Sequence, residues 1–110
     1  MHRDVCWDNL IEVLDGSGWL LIDLERAGRA GTVCTGSGFP LRHWGDGVLE
    51  RDGSYTPASD LVMVAQQLLA EVSDGNGRQL HAQLLARQLP SAEAALQHPW
   101  FSEQSGQQAG

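Results

Sequence analysis

The stretch HRDVCWDNLIEVLDGSGWLLIDLE, residues 2–25, decides how this chain is read. Two short apolar runs, Asn9 to Leu14 and Trp19 to Ile22, flank Asp15-Gly16-Ser17-Gly18, whose glycines can supply the positive φ of a hairpin turn. The spacing predicts a two-stranded ribbon. Asp4 and Asn9 stand at the entry to its first strand and Asp23 follows its second, so the ribbon returns the chain to its start and gathers two carboxylates and a carboxamide on one side. Phosphoryl transfer needs that set: one carboxylate to orient and deprotonate an acceptor hydroxyl, and oxygen ligands for the magnesium ions that offset phosphate charge.

Downstream, residues 25–53 carry Gly, Thr, Ser and Pro without a sustained period and read as a long loop, the kind of segment that carries function in a compact domain. A helix begins at Thr56-Pro57, where a hydroxyl N-cap precedes a proline at the first helical position. Asp60 falls in its first turn, favoured by the helix dipole. The run LVMVAQQLLAEV, residues 61–72, leaves almost no polar face, which places this helix in the middle of the protein. Ser73-Asp74-Gly75-Asn76-Gly77 breaks it, and a second helix with Leu80, Leu84, Leu85 and Leu89 on one stripe runs to Pro90. Ser91 caps a third, short helix that ends near His98, because Pro99 disfavours helix at the residue before it. Trp100 and Phe101 anchor the exit. Residues 1–101 form the domain, and 102–110 a disordered polar tail.

Composition narrows the partners. With 110 residues the chain makes one modest domain, and a net charge of -7 with seven scattered basic residues argues against nucleic-acid and anionic-membrane binding. The expected compartment is intracellular, the cytoplasm, because the sequence reads neither as a signal peptide nor as a spanning apolar run. Cys6 and Cys34 lack the spacing of a zinc site or disulfide framework. Of His2, His43, His81 and His98, only His2 sits in a chemical motif.

That motif, H-R-D-x-x-x-x-N over residues 2–9, resembles the catalytic loop of the protein kinase family. The resemblance implies that Asp4 is the catalytic base, that Asn9 and Asp23 bind magnesium and so the cofactor, and that Arg3 grips a phosphorylated activation segment. Residues 25–53 would be that segment, with Thr32, Thr35 and Ser37 as its hydroxyls. TPASDLVMVAQQLL, residues 56–69, is similar to the central helix of the kinase C-lobe, whose early aspartate, here Asp60, accepts hydrogen bonds from the catalytic-loop backbone. With His2, Asp60 is the expected structural support. SAEAALQHPWF, residues 91–101, resembles the closing element of many kinases. The implied fold is α+β: a mainly helical partial C-lobe with a short β-hairpin and a long activation loop, its N-lobe absent. ATP and Mg2+ are the implied cofactors, and a protein Ser/Thr hydroxyl the implied acceptor. Aminoglycoside- and choline-type phosphotransferases share the four loop positions and remain an alternative, as does a non-catalytic kinase-like remnant.

Several positions depart from the family pattern. Leu24-Glu25 stands where Phe-Gly is usual, which keeps the metal-binding aspartate and loses the flexible glycine. Cys6 replaces the lysine usual in Ser/Thr kinases, so it does not define the acceptor. Aligning Val48-Leu49 puts Gly47 at a position normally held by glutamate, and the arginine that pairs with it falls near Leu89; both partners are expected to be missing, with Arg87 at the solvent surface. No glycine-rich loop or ATP-pairing lysine precedes Met1, so ATP loses one wall of its pocket. The helix that should cover the central helix is missing too, which predicts exposed apolar area, a partner chain over it, or poor folding in isolation.

Overall fold

The computed structural model describes residues 1–34, 41 and 44–102. The chain is a small α+β protein. Strands β1, Leu10–Glu12, and β2, Trp19–Leu21, pair antiparallel with Leu10 opposite Leu21 and Glu12 opposite Trp19. Val13 donates to the Gly18 carbonyl at 2.9 Å, closing a loop in which Gly16 has φ +75°, so the expected ribbon forms with slightly shorter strands.

A second sheet was not legible beforehand. Strands β3, Thr32–Val33, and β4, Ser54–Tyr55, pair antiparallel, and Gly31 and Cys34 extend the pairing by donating to Tyr55 and Gly53. Residues 25–53 are therefore tied at both ends, and the segment also holds a 3-10 turn, Leu24–Arg26, at its entry. Thr35, Ser37 and His43 lie outside the described residues.

The central helix starts where Thr56-Pro57 places it. In α1, Pro57–Met63, the Ser59 hydroxyl accepts from the Thr56 N–H at 3.0 Å, half of a capping box. Beyond Met63 the helix widens to π geometry over Val64–Leu68, with Leu69 donating to the Val64 carbonyl at 3.2 Å, and it stops there rather than at Val72. Gln66 in this wide turn clamps the preceding loop, donating to the Asp46 carbonyl and accepting from the Gly45 N–H.

The helix separates two apolar clusters, one around Val5, Val48, Tyr55, Val62 and Met63, the other around Ala65, Leu69, Leu80, Leu84 and Ala95. That matches an apolar run with little polar face. Asp74 caps α2, Gly75–Leu85, by accepting from Gly77 at 3.0 Å, and its other oxygen accepts from the Trp100 indole at 3.3 Å. Gly77 lies beneath Val72 and Asp74 where a Cβ has no room, so the close approach needs glycine. Helix α2 ends early, in a Schellman turn: Gln88 donates to the Gln83 carbonyl, Arg87 donates to Leu84, and Arg87 takes φ +57°. Ser91 caps α3, Ala92–Leu96, as expected, and a last helical turn spans 99–102. The polar tail lies outside the described residues from 103 on.

Candidate functional site

The site is built on Asp60, half-buried in the first turn of α1. Its two carboxylate oxygens accept from the backbone N–H groups of His2 at 3.0 Å and Arg3 at 3.1 Å, and the Tyr55 hydroxyl donates to it as well. Charge-assisted bonds of this kind are about twice as strong as neutral ones, and here they fix residues far apart in sequence. Arg3 has φ +72°, a left-handed conformation unfavourable for a residue with a Cβ. The Trp44 indole holds the other side of that peptide by donating to the Arg3 carbonyl at 2.9 Å. Strained backbone persists where its surroundings over-determine it, and Asp60 and Trp44 do so here.

His2 links the loop to the ribbon. Its Nε2 donates to the Ile22 carbonyl at 2.7 Å, while its Nδ1 accepts from the Asp4 N–H at 3.1 Å, an arrangement that uses the Nε2–H tautomer. Asn9 makes the next connection: its Nδ2 donates to the Asp4 carbonyl at 2.8 Å, and its own carbonyl accepts from Ile22 at 2.8 Å. Asp4, Asn9 and the residue before Asp23 are thus joined by a continuous set of hydrogen bonds across β1 and β2. Asp23 itself is exposed and left-handed at φ +62°, a conformation aspartate tolerates better than most side chains.

The Arg3 side chain is buried and crosses Gly28, where a Cβ would strike the guanidinium. Its NH1 and NH2 make long contacts, 3.5 Å each, to the carbonyls of Arg26 and Arg29 at the start of the 25–53 segment. Met1 and Gly28 exchange backbone hydrogen bonds beside it, Gly28 donating at 3.0 Å. The Cys6 thiol is pushed up by burial and by the nearby Asp4 carboxylate, which disfavours its thiolate.

Two groups escaped the sequence reading. Trp44 and Tyr55 pack with their rings tilted by 43° and centroids 5.1 Å apart, and burial, followed by the Asp60 carboxylate, pushes the Tyr55 phenol well above its usual range. Arg87 is the second correction. Instead of lying at the solvent surface, it pairs with Glu50 and donates to the carbonyls of Gly47 and Val48 at 2.6 and 2.7 Å. An ion pair thus links the two segments where a solvent-exposed arginine was expected, and Arg87 makes it from a left-handed turn at φ +57°.

Among the described residues, no three His, Cys, Asp or Glu side chains are grouped to hold a metal ion. The set of Asp4, Asn9 and Asp23 is of another kind, two carboxylates and a carboxamide. Asn9 uses its amide nitrogen on Asp4, which leaves the carboxamide oxygen as its donor atom toward a cation. Hard oxygens of this type suit Mg2+. No helix among the described residues is long and apolar enough to cross a membrane. Scanned against protein-family models, curated proteins and solved structures, the chain matches none of them.

Proposed function

We propose that this chain carries the catalytic and metal-binding half of a protein-kinase-type phosphotransferase site. The observation that supports it best is the Asp60 carboxylate holding the backbone of His2 and Arg3, with Asn9 bonded to Asp4 across the root of the ribbon. Asp4 then orients the acceptor hydroxyl of a protein Ser or Thr and takes its proton as the phosphoryl group transfers. Asn9 and Asp23 would hold Mg2+ through their side-chain oxygens, and the ion would offset the charge on the phosphates of ATP. His2 and Asp60 act on the geometry of the loop alone. Arg3 ties that loop to the 25–53 segment, the route by which changes in the segment reach Asp4.

A second reading, a kinase-like module that binds a partner and transfers nothing, is favoured by the apolar surface left open beside the central helix. Calorimetric titration of ATP with and without Mg2+ separates the two. Magnesium-dependent binding that falls about tenfold or more in Asp23→Asn is expected for the phosphotransferase site, an effect typical of a lost metal ligand or its support. Binding indifferent to Mg2+ and to Asp23 sinks it. Joined to a domain supplying a glycine-rich loop and its lysine, Asp4→Asn is expected to lower turnover by about 10²-fold or more, on the scale of a lost general base.

A further inference from the structure

Beside the central helix runs an apolar groove of about 340 Å³, between α1 and its π turn on one side and α2 and α3 on the other. Leu61, Leu68, Leu80, Ala95 and Phe101 are among its walls, and every described residue lining it is apolar. Trp7 and Leu68 also line a second concavity, which Glu71 borders. From these facts we infer that the groove receives an amphipathic helix of a protein partner, with basic residues flanking its apolar stripe.

Two features select that occupant. A backbone pressed onto wholly apolar walls finds no donor or acceptor there, and no strand edge belongs to the lining, so the occupant must satisfy its own hydrogen bonds as a helix does. The described charges nearest the groove are acidic. Glu71 is exposed in the adjoining concavity, and Asp8 and Glu93 are the exposed chain neighbours of the lining residues Trp7 and Ala92. Among the described residues, no Lys or Arg lines either concavity or stands directly beside a lining residue in sequence. With a net charge of -7, a second copy of this chain brings like charge to this face.

The inference concerns a surface apart from Asp4, Asn9 and Asp23, and its test reads peptide binding, so it stands or falls separately from phosphoryl transfer. The probe is a synthetic helical peptide with leucine at i, i+3, i+4 and i+7 and lysine on both flanks, compared with the same peptide carrying glutamate flanks. Titrated into the full chain and followed by peptide fluorescence anisotropy, the lysine peptide is expected to bind about tenfold or more tightly than the glutamate peptide, and less tightly as salt rises. Leu96→Glu changes a groove residue that is already 59 % exposed and so should fold; it is expected to weaken the lysine peptide about tenfold, in the range of an interface anchor. Glu71→Lys is expected to narrow the difference between the two peptides. Equal affinity for both peptides, or unchanged binding in Leu96→Glu, overturns the inference. So does sedimentation showing that the chain fills the groove by pairing with itself at the concentrations used.

Discussion

The loop around Asp60 and the ribbon that projects from it solve the same problem in opposite ways. Both are short, irregular pieces with little core of their own. The loop is fixed by polar contacts: the backbone of His2 and Arg3 on Asp60, the Trp44 indole on Arg3, and the His2 ring on Ile22. The ribbon has its own pairing and the edge-on contact of Trp19 with Trp7, and Ile11, Trp19, Leu20 and Leu21 remain exposed along it, with Leu14 fully exposed at its tip. A few hydrogen bonds accepted by a half-buried carboxylate position a chain more narrowly than exposed apolar residues can, because an unmet buried donor costs free energy whereas an exposed leucine costs little. The residues proposed for chemistry lie where the polar frame and the ribbon meet.

Breaking the frame should have the largest effect. Asp60→Ala leaves two backbone N–H groups and a phenol without their acceptor, and is expected to lower unfolding stability by roughly 3–5 kcal/mol, read from urea titration. Asp60→Asn keeps an acceptor oxygen and should fall between the variant and the parent. A loss under about 1 kcal/mol in Asp60→Ala places the stability of the loop elsewhere.

Tyr55 gives a pH test of the same frame. Its folded pKa is raised, so the neutral phenol is favoured by folding; the contribution is complete below the unfolded value near 10 and is lost as pH rises past it. Stability is expected to drop by about 1.4 kcal/mol per pH unit above about pH 10. Tyr55 is the only tyrosine, and all seven basic residues are arginine, so no lysine titration overlaps this window. Tyr55→Phe should flatten the slope there, and a slope that persists in that variant assigns the loss to another group.

A smaller effect is expected at the Arg87 clamp, whose partners are only partly buried, at 26 % and 34 % side-chain exposure. Arg87→Ala should cost about 1–2 kcal/mol, the combined scale of an ion pair near the surface and two carbonyl bonds. Arg87→Gly loses the same bonds but suits the left-handed backbone, and should recover up to about 1 kcal/mol of that cost. Equal losses in the two would deny a role to the backbone conformation. On the ribbon, Leu20→Thr is expected to change stability by no more than about 0.5 kcal/mol, because the side chain is 56 % exposed.

The same contrast governs what was legible. The β1–β2 ribbon announced itself because its apolar runs and glycine turn are adjacent in sequence. Thr56, Pro57 and Ser91 marked their helix starts for the same reason. By contrast, β3 pairs with β4 across residues 34–53, and two-residue strands carry no period to read. The widening at Val64–Leu68 has no side-chain signature either, and its consequence, Gln66 on Asp46 and Gly45, is tertiary. The positions of Asp4, Asn9, Asp23 and Asp60 followed from a family resemblance, and their connecting bonds are now specific: Asp60 to residues 2 and 3, Asn9 to Asp4. Trp44 donates to a backbone carbonyl and Arg87 reaches Glu50 from an unusual turn. Neither contact follows from a local pattern.

The most direct test of the proposed metal site is paramagnetic line broadening in the presence of ATP, with Mn2+ standing in for Mg2+. Selective broadening at the backbone amides of Asp4, Asn9 and Asp23, relieved by excess Mg2+ and lost in Asp23→Asn, is the expected result. Broadening that spares these three residues, or that survives the Asp23 substitution unchanged, contradicts a shared cation site at the root of the ribbon.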